Sequence, residues 1–599
     1  MKKTLTNYLI SNIETFGADV EEFFTKHDDE YIPLTYKELL NQVYSLIVFF
    51  KECGLQKGDK VGIISESRTE WVAVDFACMF SGLISIPVYT SVSDHQIEYI
   101  LENSDSKICF VSNTLLLDKV INIKKHYNIS EKPGLLEEVI IFNEIDISKY
   151  DRNEVKKYTD IVNLPADISF EKKRDMIKKM SEDIKEDDLL TIIYTSGTTG
   201  IPKGVMLTHL NFYSNVTACQ QVLPIGESDV FLSYLPYSHI YERTAGYYLP
   251  LFCGAKIYYA QNIDTIAKQL IEVSPTFVMT VPRLLDKIYN KLMKSSEDME
   301  SGFKRTLFRW AVDLAHNKEI SSDSIKHKIA NALVYKKIRE KTGGKIRYFV
   351  SGGGALNKKI GEFFFRIGVE VLEGYGMTES SPVISVNIPS KNKYGTVGKA
   401  LPGVNIKLTG ENEILVSGEL VMKGYYKDPE ITNETIVNGW LHTGDIGEID
   451  NEGYLRITDR KKSLIKTSGG KYVSPTQIED IISSLGYIEN IMVIGNERMY
   501  ITAVIVPNKE ELINFAQKNK ITGIAYSELL KNKELNKLVQ KDINIAQKDL
   551  AHFERVRHFI FIEESFSIEN GELTPTMKIK RKFVEEKYKN EIENLYLKI

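Results

Sequence analysis

Ten consecutive residues at 195–204 read TSGTTGIPKG and hold four hydroxyl side chains, three glycines and one lysine. Glycines let the backbone turn its N–H groups inward, the hydroxyls add donors and the lysine adds a cation, a set suited to a polyphosphate. The apolar run 189–193 directly before it predicts a strand that delivers the loop. The segment is not a Walker A loop. That motif needs Gly before its Lys and a hydroxyl after it, whereas Lys203 stands between Pro202 and Gly204. A different way of holding phosphate is required.

Elements to position such a loop are legible along the chain. Thr35 and Glu38 form a capping box ahead of Leu39, Leu40, Val43, Leu46, Ile47 and Phe50, which recur at helical spacing. Short apolar runs at 61–64, 84–88, 108–111, 189–193, 231–235, 277–281 and 348–351 are separated by segments long enough for helices. This βα alternation predicts an α/β fold: a large N-terminal multi-layer body with mainly parallel sheets. Residues 71–89 read as a helix, a turn and a strand rather than a membrane span. Residues 144–188, rich in Asp, Glu and Lys, are expected to be a solvated connection. After Asp459 the texture changes to a helix near Pro475 and strands at 491–494, 501–506 and 559–562, so residues 460–599 are expected to form a small α+β domain and 1–459 the large one.

Composition bounds the partners. At roughly 150 residues per domain, 599 residues imply several units. Against 81 acidic side chains the 76 Lys and Arg leave a net charge of −5, no basic field for nucleic acid. Five cysteines, none in a CxxC pair, imply neither a disulfide framework nor a zinc site and fit a reducing cytoplasm. No export signal or transmembrane helix is predicted. A basic run carrying Lys326, Lys328, Lys336, Lys337, Arg339 and Lys341 suits either a solvated helix face or peripheral contact with an anionic membrane.

The loop is one of four motifs in a fixed order. EGYGMTE at 373–379, WLHTGD at 440–445 and YLRITDRKKSLIKTSGG at 454–470 follow it. Together they resemble the AMP-forming acyl-CoA synthetase, or adenylate-forming, superfamily over roughly residues 30–585. The resemblance implies that Thr195, Ser196, Gly197, Thr198, Thr199, Gly200 and Lys203 cradle the triphosphate of ATP. It implies that Glu379, with Thr195, holds Mg2+, and that Glu373, Tyr375 and Gly376 help bind ATP or AMP, with Tyr375 covering the adenine. Thr378 would bind the α-phosphate, and Asp445 with Arg460 the ribose. Lys578, in LTPTMKIKRK at 573–582, matches the family's catalytic lysine, although Met577 stands where the family often has Gly. Lys462 matches the hinge of a mobile C-terminal domain, and Lys466, Ser468, Gly469 and Gly470 match the loop that admits coenzyme A.

LPYSHIYER at 235–243 resembles the acyl-pocket segment of long-chain members, with Tyr237 and His239 toward the acyl chain. The implied activity is long-chain fatty acid CoA ligation through an acyl-adenylate. A medium-chain or aryl-CoA ligase and an acyl carrier protein ligase share every nucleotide motif. The residues after Lys578 are too few for a fused carrier domain, so such a carrier would be a separate protein. An inactive acyl-binding or scaffold protein would show damage at Lys203, Glu379, Asp445 or Lys578, and all four are intact.

Overall fold

A computed structural model of the chain describes residues 2–597 except 127–135, 152, 164–167, 197–200, 263, 298–301, 318, 322, 462–463, 568–569 and 575–577. The side chains of His126, Ser196 and residues 295–297 also lie outside the description. Contacts divide the chain into two compact units. The first holds residues 1–407, 415–443 and 449–455, the second 408–414, 444–448 and 456–599.

Two large sheets organise the first unit. One has eight strands in the order Gly424–Tyr425, Pro202–Thr208, Leu189–Ser196, Ile84–Val88, Lys60–Ile64, Ser106–Val111, Glu138–Ile141, Val155–Lys157. The other has nine, with Val230–Ser233, Phe277–Thr280, Tyr348–Ser351 and Glu370–Gly376 at its parallel centre. Central strands such as Ile84–Val88 and Phe277–Thr280 are buried at every position. That burial explains their mainly apolar sequences, since helices cover parallel sheets on both faces. The helix Thr69–Ser81 is apolar nearly all round and buried from Trp71 to Phe80. Ahead of the helix Tyr36–Glu52 the Thr35/Glu38 capping box forms as read.

Both sheets change from parallel to antiparallel where the polar motifs stand. Leu189–Ser196 runs parallel to Ile84–Val88 on one side but antiparallel to Pro202–Thr208 on the other. Glu370–Gly376 runs parallel to Tyr348–Ser351 and antiparallel to Val383–Val386. Each motif is thus flanked by strands that are themselves anchored in a sheet.

The second unit contains the three-stranded sheet Ile488–Ile494, Ile501–Pro507, Val556–Phe561 and the helix Pro475–Ser483, capped by Ser474. Residues 144–188 correct the sequence reading. They build the strand Val155–Lys157 and the helices Tyr158–Val162 and Phe170–Ser181 rather than a bare connection. Sparse anchors suffice: Val155, Tyr158, Ile161 and Ile177 are buried, and Ser169 caps the last helix. Among the described residues no helix is long and apolar enough to cross a membrane.

An ion pair lies fully buried inside the first unit. Arg243 meets Asp75, and donates to Thr191 Oγ1 at 2.8 Å, Ser85 Oγ at 2.9 Å and the Tyr248 hydroxyl at 2.9 Å. Asp75 also accepts from Tyr248 at 2.6 Å. Burying two charges is tolerable only with such complete pairing. Asp75→Asn should therefore cost about 3–5 kcal/mol, because the guanidinium loses its counter-ion in a dry site. Urea denaturation at neutral pH measures it.

Candidate active site

The strand Leu189–Ser196 pairs with Pro202–Thr208 so that Thr195 faces Lys203 and Ser196 faces Pro202. The described ends of the loop predicted to bind phosphate therefore stand opposite one another on two antiparallel strands. Thr195 and Lys203 are half-buried at the base of the loop. Gly197, Thr198, Thr199 and Gly200 lie outside the described residues, as does the side chain of Ser196. Arg243 ties the hairpin's root to the 235–243 segment, because the Thr191 it contacts belongs to the first strand.

EGYGMTE spans the end of Glu370–Gly376 and the 3-10 turn Thr378–Ser380. Gly376 is obligatory, since a Cβ there would come within 1.9 Å of the Pro382 carbonyl oxygen. The Ser380 hydroxyl donates to that same oxygen at 2.7 Å, and Met422 N–H donates to the Glu379 carbonyl at 2.9 Å. Thr378 and Tyr375 are half-buried. Glu373 is buried and accepts from Gly395 N–H at 3.2 Å. Burial pushes its carboxyl up to about 7, against the opposing pull of the Gly395 and Leu356 N–H groups and Lys358.

Lys203 and Glu379 meet on a residue that sequence reasoning did not select. Tyr425 Oη donates to Glu379 Oε1 at 2.8 Å, and Lys203 Nζ stands 5.4 Å from the centre of the same ring. The strand Pro202–Thr208 also packs against the turn Thr378–Ser380. The only sequence signal for Tyr425 is an aromatic residue after a glycine, which is common in strand edges.

In the second unit, Asp445 is buried and pairs with Arg460, Oδ1 to Nε 3.1 Å. Lys578 keeps an exposed side chain, yet the protein crowds its ammonium. Desolvation, aided by Arg460 and opposed by Asp445, holds its pKa down to about 8. Thr574 N–H donates to the Lys578 carbonyl at 2.8 Å, and Leu573 bridges Ile579, so the lysine sits on one arm of a short antiparallel loop. Lys462 lies outside the described residues. Lys466 ends the strand Ile465–Lys466, and Gly470, at φ 73°, closes a turn by donating to the Thr467 carbonyl at 2.8 Å. Ser468 N–H donates to the Arg498 carbonyl at 3.0 Å, and Gly469 lies in the same turn.

In the 235–243 segment, Tyr237 is fully buried, stacked on Tyr247 at 4.9 Å and bonded through its hydroxyl to Tyr259 at 3.2 Å. His239 is half-buried beside Tyr89. The next acid, Glu242, accepts from Ser233 at 2.7 Å, and burial pushes its carboxyl up to about 8.

A family model described as AMP-binding enzyme matches residues 15–426, and one described as AMP-binding enzyme C-terminal domain matches residues 462–599. The chain belongs to the AMP-binding enzyme family. Similar proteins include a long-chain-fatty-acid–CoA ligase of Mycobacterium bovis, 30% identical over 95% of this chain and 93% of the relative. Another is long-chain-fatty-acid–CoA ligase 1 of Cavia porcellus, 32% identical over 95% of this chain and 83% of the relative. Among solved structures, the adenylation domain of a carboxylate reductase from Mycobacterium chelonae aligns with a TM-score of 0.77 over 99% of this chain and 91% of that one. At 22% identity that likeness bears on the fold alone.

The raised Glu373 carboxyl makes a pH prediction for this AMP-binding enzyme. The folded state holds the proton to about 7 and the unfolded chain releases it near its ordinary 4.5. The contribution of Glu373 to stability is thus fullest below 4.5, falls as pH rises toward 7, and stays lost above. Glu373→Gln removes this dependence. Its stability relative to wild type should rise by roughly 3 kcal/mol across that interval, as measured by urea denaturation at a series of pH values.

Proposed function

We propose that this chain is a long-chain fatty acid CoA ligase acting in two steps. An oxygen of the fatty acid carboxylate attacks the α-phosphorus of ATP, pyrophosphate leaves and an acyl-adenylate forms. The thiol of coenzyme A then attacks the acyl carbon and AMP leaves. Relatives named long-chain-fatty-acid–CoA ligases over 95% of the chain support the substrate class. The observation that carries the chemistry is the convergence of Lys203 and Glu379 on Tyr425 beside a Ser/Thr/Gly hairpin.

In this reading Thr195, Ser196, Thr198, Thr199 and Lys203 hold the triphosphate, with Gly197 and Gly200 allowing backbone N–H groups to approach it. Glu373, Tyr375 and Gly376 form the adenine side, Thr378 takes the α-phosphate, and Asp445 accepts from the ribose hydroxyls with Arg460 assisting. Glu379 and Thr195 would hold Mg2+. Both offer hard oxygens, and the Glu379 carboxylate is oriented by the Tyr425 hydroxyl. The ion, when bound, neutralises triphosphate charge. Lys578 sets its ammonium between the two anions and lowers their repulsion. Residues 460–599 then turn about Lys462 and exchange Lys578 for the Lys466, Ser468, Gly469 and Gly470 loop, which admits the pantetheine arm. His239 faces the acyl chain and Tyr237 supports it from behind.

Peripheral membrane contact is part of this proposal. Residues 325–340 run as Ile325–Ala330, a π-turn Asn331–Tyr335 and Lys336–Glu340, burying His327, Ala330, Val334 and Ile338. Ile325, Ile329 and Leu333 are 77%, 47% and 46% exposed on the other side, among the exposed Lys326, Lys328, Lys336 and Lys337. An apolar ridge with basic flanks suits an anionic bilayer, in which a long-chain acid also partitions. The protein should co-sediment with anionic phospholipid vesicles more than with zwitterionic ones and less at high salt. Ile329→Asp should weaken that binding several-fold; unaltered co-sedimentation counts against the ridge.

With ATP, Mg2+ and acids of increasing length, purified protein should release pyrophosphate and AMP, the second step requiring coenzyme A rather than a carrier protein. ADP and inorganic phosphate in place of AMP overturn the reading. Lys578→Ala should slow adenylation about 100-fold or more while sparing thioester formation from supplied acyl-adenylate. Because the ammonium is the working form, wild-type adenylation should decline as pH rises through about 8. Lys578→Arg, charged throughout, should lose that descending limb in a single-turnover pH profile.

A further inference from the structure

We infer that Tyr425 is a positioning residue that sets the spacing between the phosphate-binding cation and the metal-binding carboxylate. This rests on the roles proposed above for Lys203 and Glu379. The tyrosine is buried and makes two different electrostatic contacts. Its hydroxyl donates to Glu379 Oε1 at 2.8 Å, and its ring stands 5.4 Å from Lys203 Nζ, within cation–π range. The contacts reinforce one another. An O–H polarised toward a carboxylate leaves the ring richer in electrons, and a richer ring attracts the ammonium more strongly.

The backbone around Tyr425 leaves little freedom. Gly424–Tyr425 is the edge strand of the eight-stranded sheet, with Gly424 opposite Met206 and Tyr425 opposite Val205. Tyr426 N–H donates to the Gly204 carbonyl at 2.7 Å and Lys423 N–H to the Met206 carbonyl at 3.0 Å, so the strand is laced to the arm that carries Lys203. Met422 N–H reaches the Glu379 carbonyl on the other side. Tyr425 N–H donates to Thr432 Oγ1 at 2.8 Å, and Gly424, at φ 140°, leaves room for that threonine, since a Cβ would meet its Cγ2 at 2.6 Å. Three segments distant in sequence, around 203, 379 and 425, are thus locked in register about one phenol. The rigid ring holds anion and cation at its two parts, hydroxyl and face, before nucleotide arrives. Binding then does not have to order them.

Two variants separate the contacts. Tyr425→Phe keeps the ring and loses the hydroxyl; Tyr425→Leu loses both. Titration calorimetry gives the dissociation constants of Mg2+-ATP and of ATP in EDTA. Tyr425→Phe should weaken Mg2+-ATP binding about tenfold and leave metal-free ATP within about twofold, and Tyr425→Leu should weaken metal-free ATP as well, by about threefold. In a Glu379→Gln background the Tyr425→Phe effect on Mg2+-ATP should vanish, because the hydroxyl acts through that carboxylate. Wild-type affinity in Tyr425→Phe, equal losses with and without metal, or additivity with Glu379→Gln would each overturn the proposal. Melting temperatures check folding, and should Tyr425→Leu fail to fold, Tyr425→Phe and the double variant still decide. Wild-type protein that fails to bind Mg2+-ATP sinks both this inference and the ligase reading. Wild type that binds it and is matched by Tyr425→Phe sinks the inference alone.

Discussion

A parallel strand covered on both faces has no water to satisfy polar groups along its length, so each one there must find a partner inside the protein, and that restriction shapes the first unit. Ile84–Val88 and Phe277–Thr280 are buried end to end, and Ser85 in the middle of the first is bonded to Asp75 and Arg243. The polar motifs stand at strand ends, and the sheets supply ends of a particular kind. At Leu189–Ser196 and at Glu370–Gly376 the parallel order gives way to an antiparallel partner. The described strands beside each turn are anchored in a sheet, which sets Thr195 opposite Lys203. Gly376, with the Pro382 carbonyl where a side chain would begin, shows how closely such a turn is drawn.

Charge is handled differently at depth and at the turns. In the interior, Arg243 and Asp75 are matched by Ser85, Thr191 and Tyr248 until every strong donor and acceptor has a partner. That network joins the 235–243 segment to the strand Leu189–Ser196. At the turns, Lys203 and Glu379 are half-buried and both contact the Tyr425 phenol. Glu373 and Lys578 have pKa values that move toward neutrality, because desolvation disfavours the charged form of each.

Much of this was legible before any coordinates. The runs at 84–88 and 348–351 became strands with the same bounds, and Thr35 and Glu38 capped their helix as read. These features depend on neighbours a few residues away. The polar stretch 144–188 misled, because Val155, Tyr158, Ile161 and Ile177 are too scattered to look like core until the sheet edge and helices they pack on are known. Tyr237 is stacked within a cluster of tyrosines that its sequence neighbours do not announce, with His239 less deeply buried.

By itself the sequence determined the βα rhythm, the order of the polar motifs and the identities of the groups they contain, since local propensity and short-range spacing are written in consecutive residues. Only the tertiary structure decided that Tyr425 joins Lys203 to Glu379, that Asp75 neutralises Arg243, and that Asp445 and Arg460 stand within electrostatic reach of Lys578. Each of these depends on segments tens to hundreds of residues apart being brought into register. Coulomb and hydrogen-bond energies fall off with distance in space, and distance along the chain carries almost no information about that.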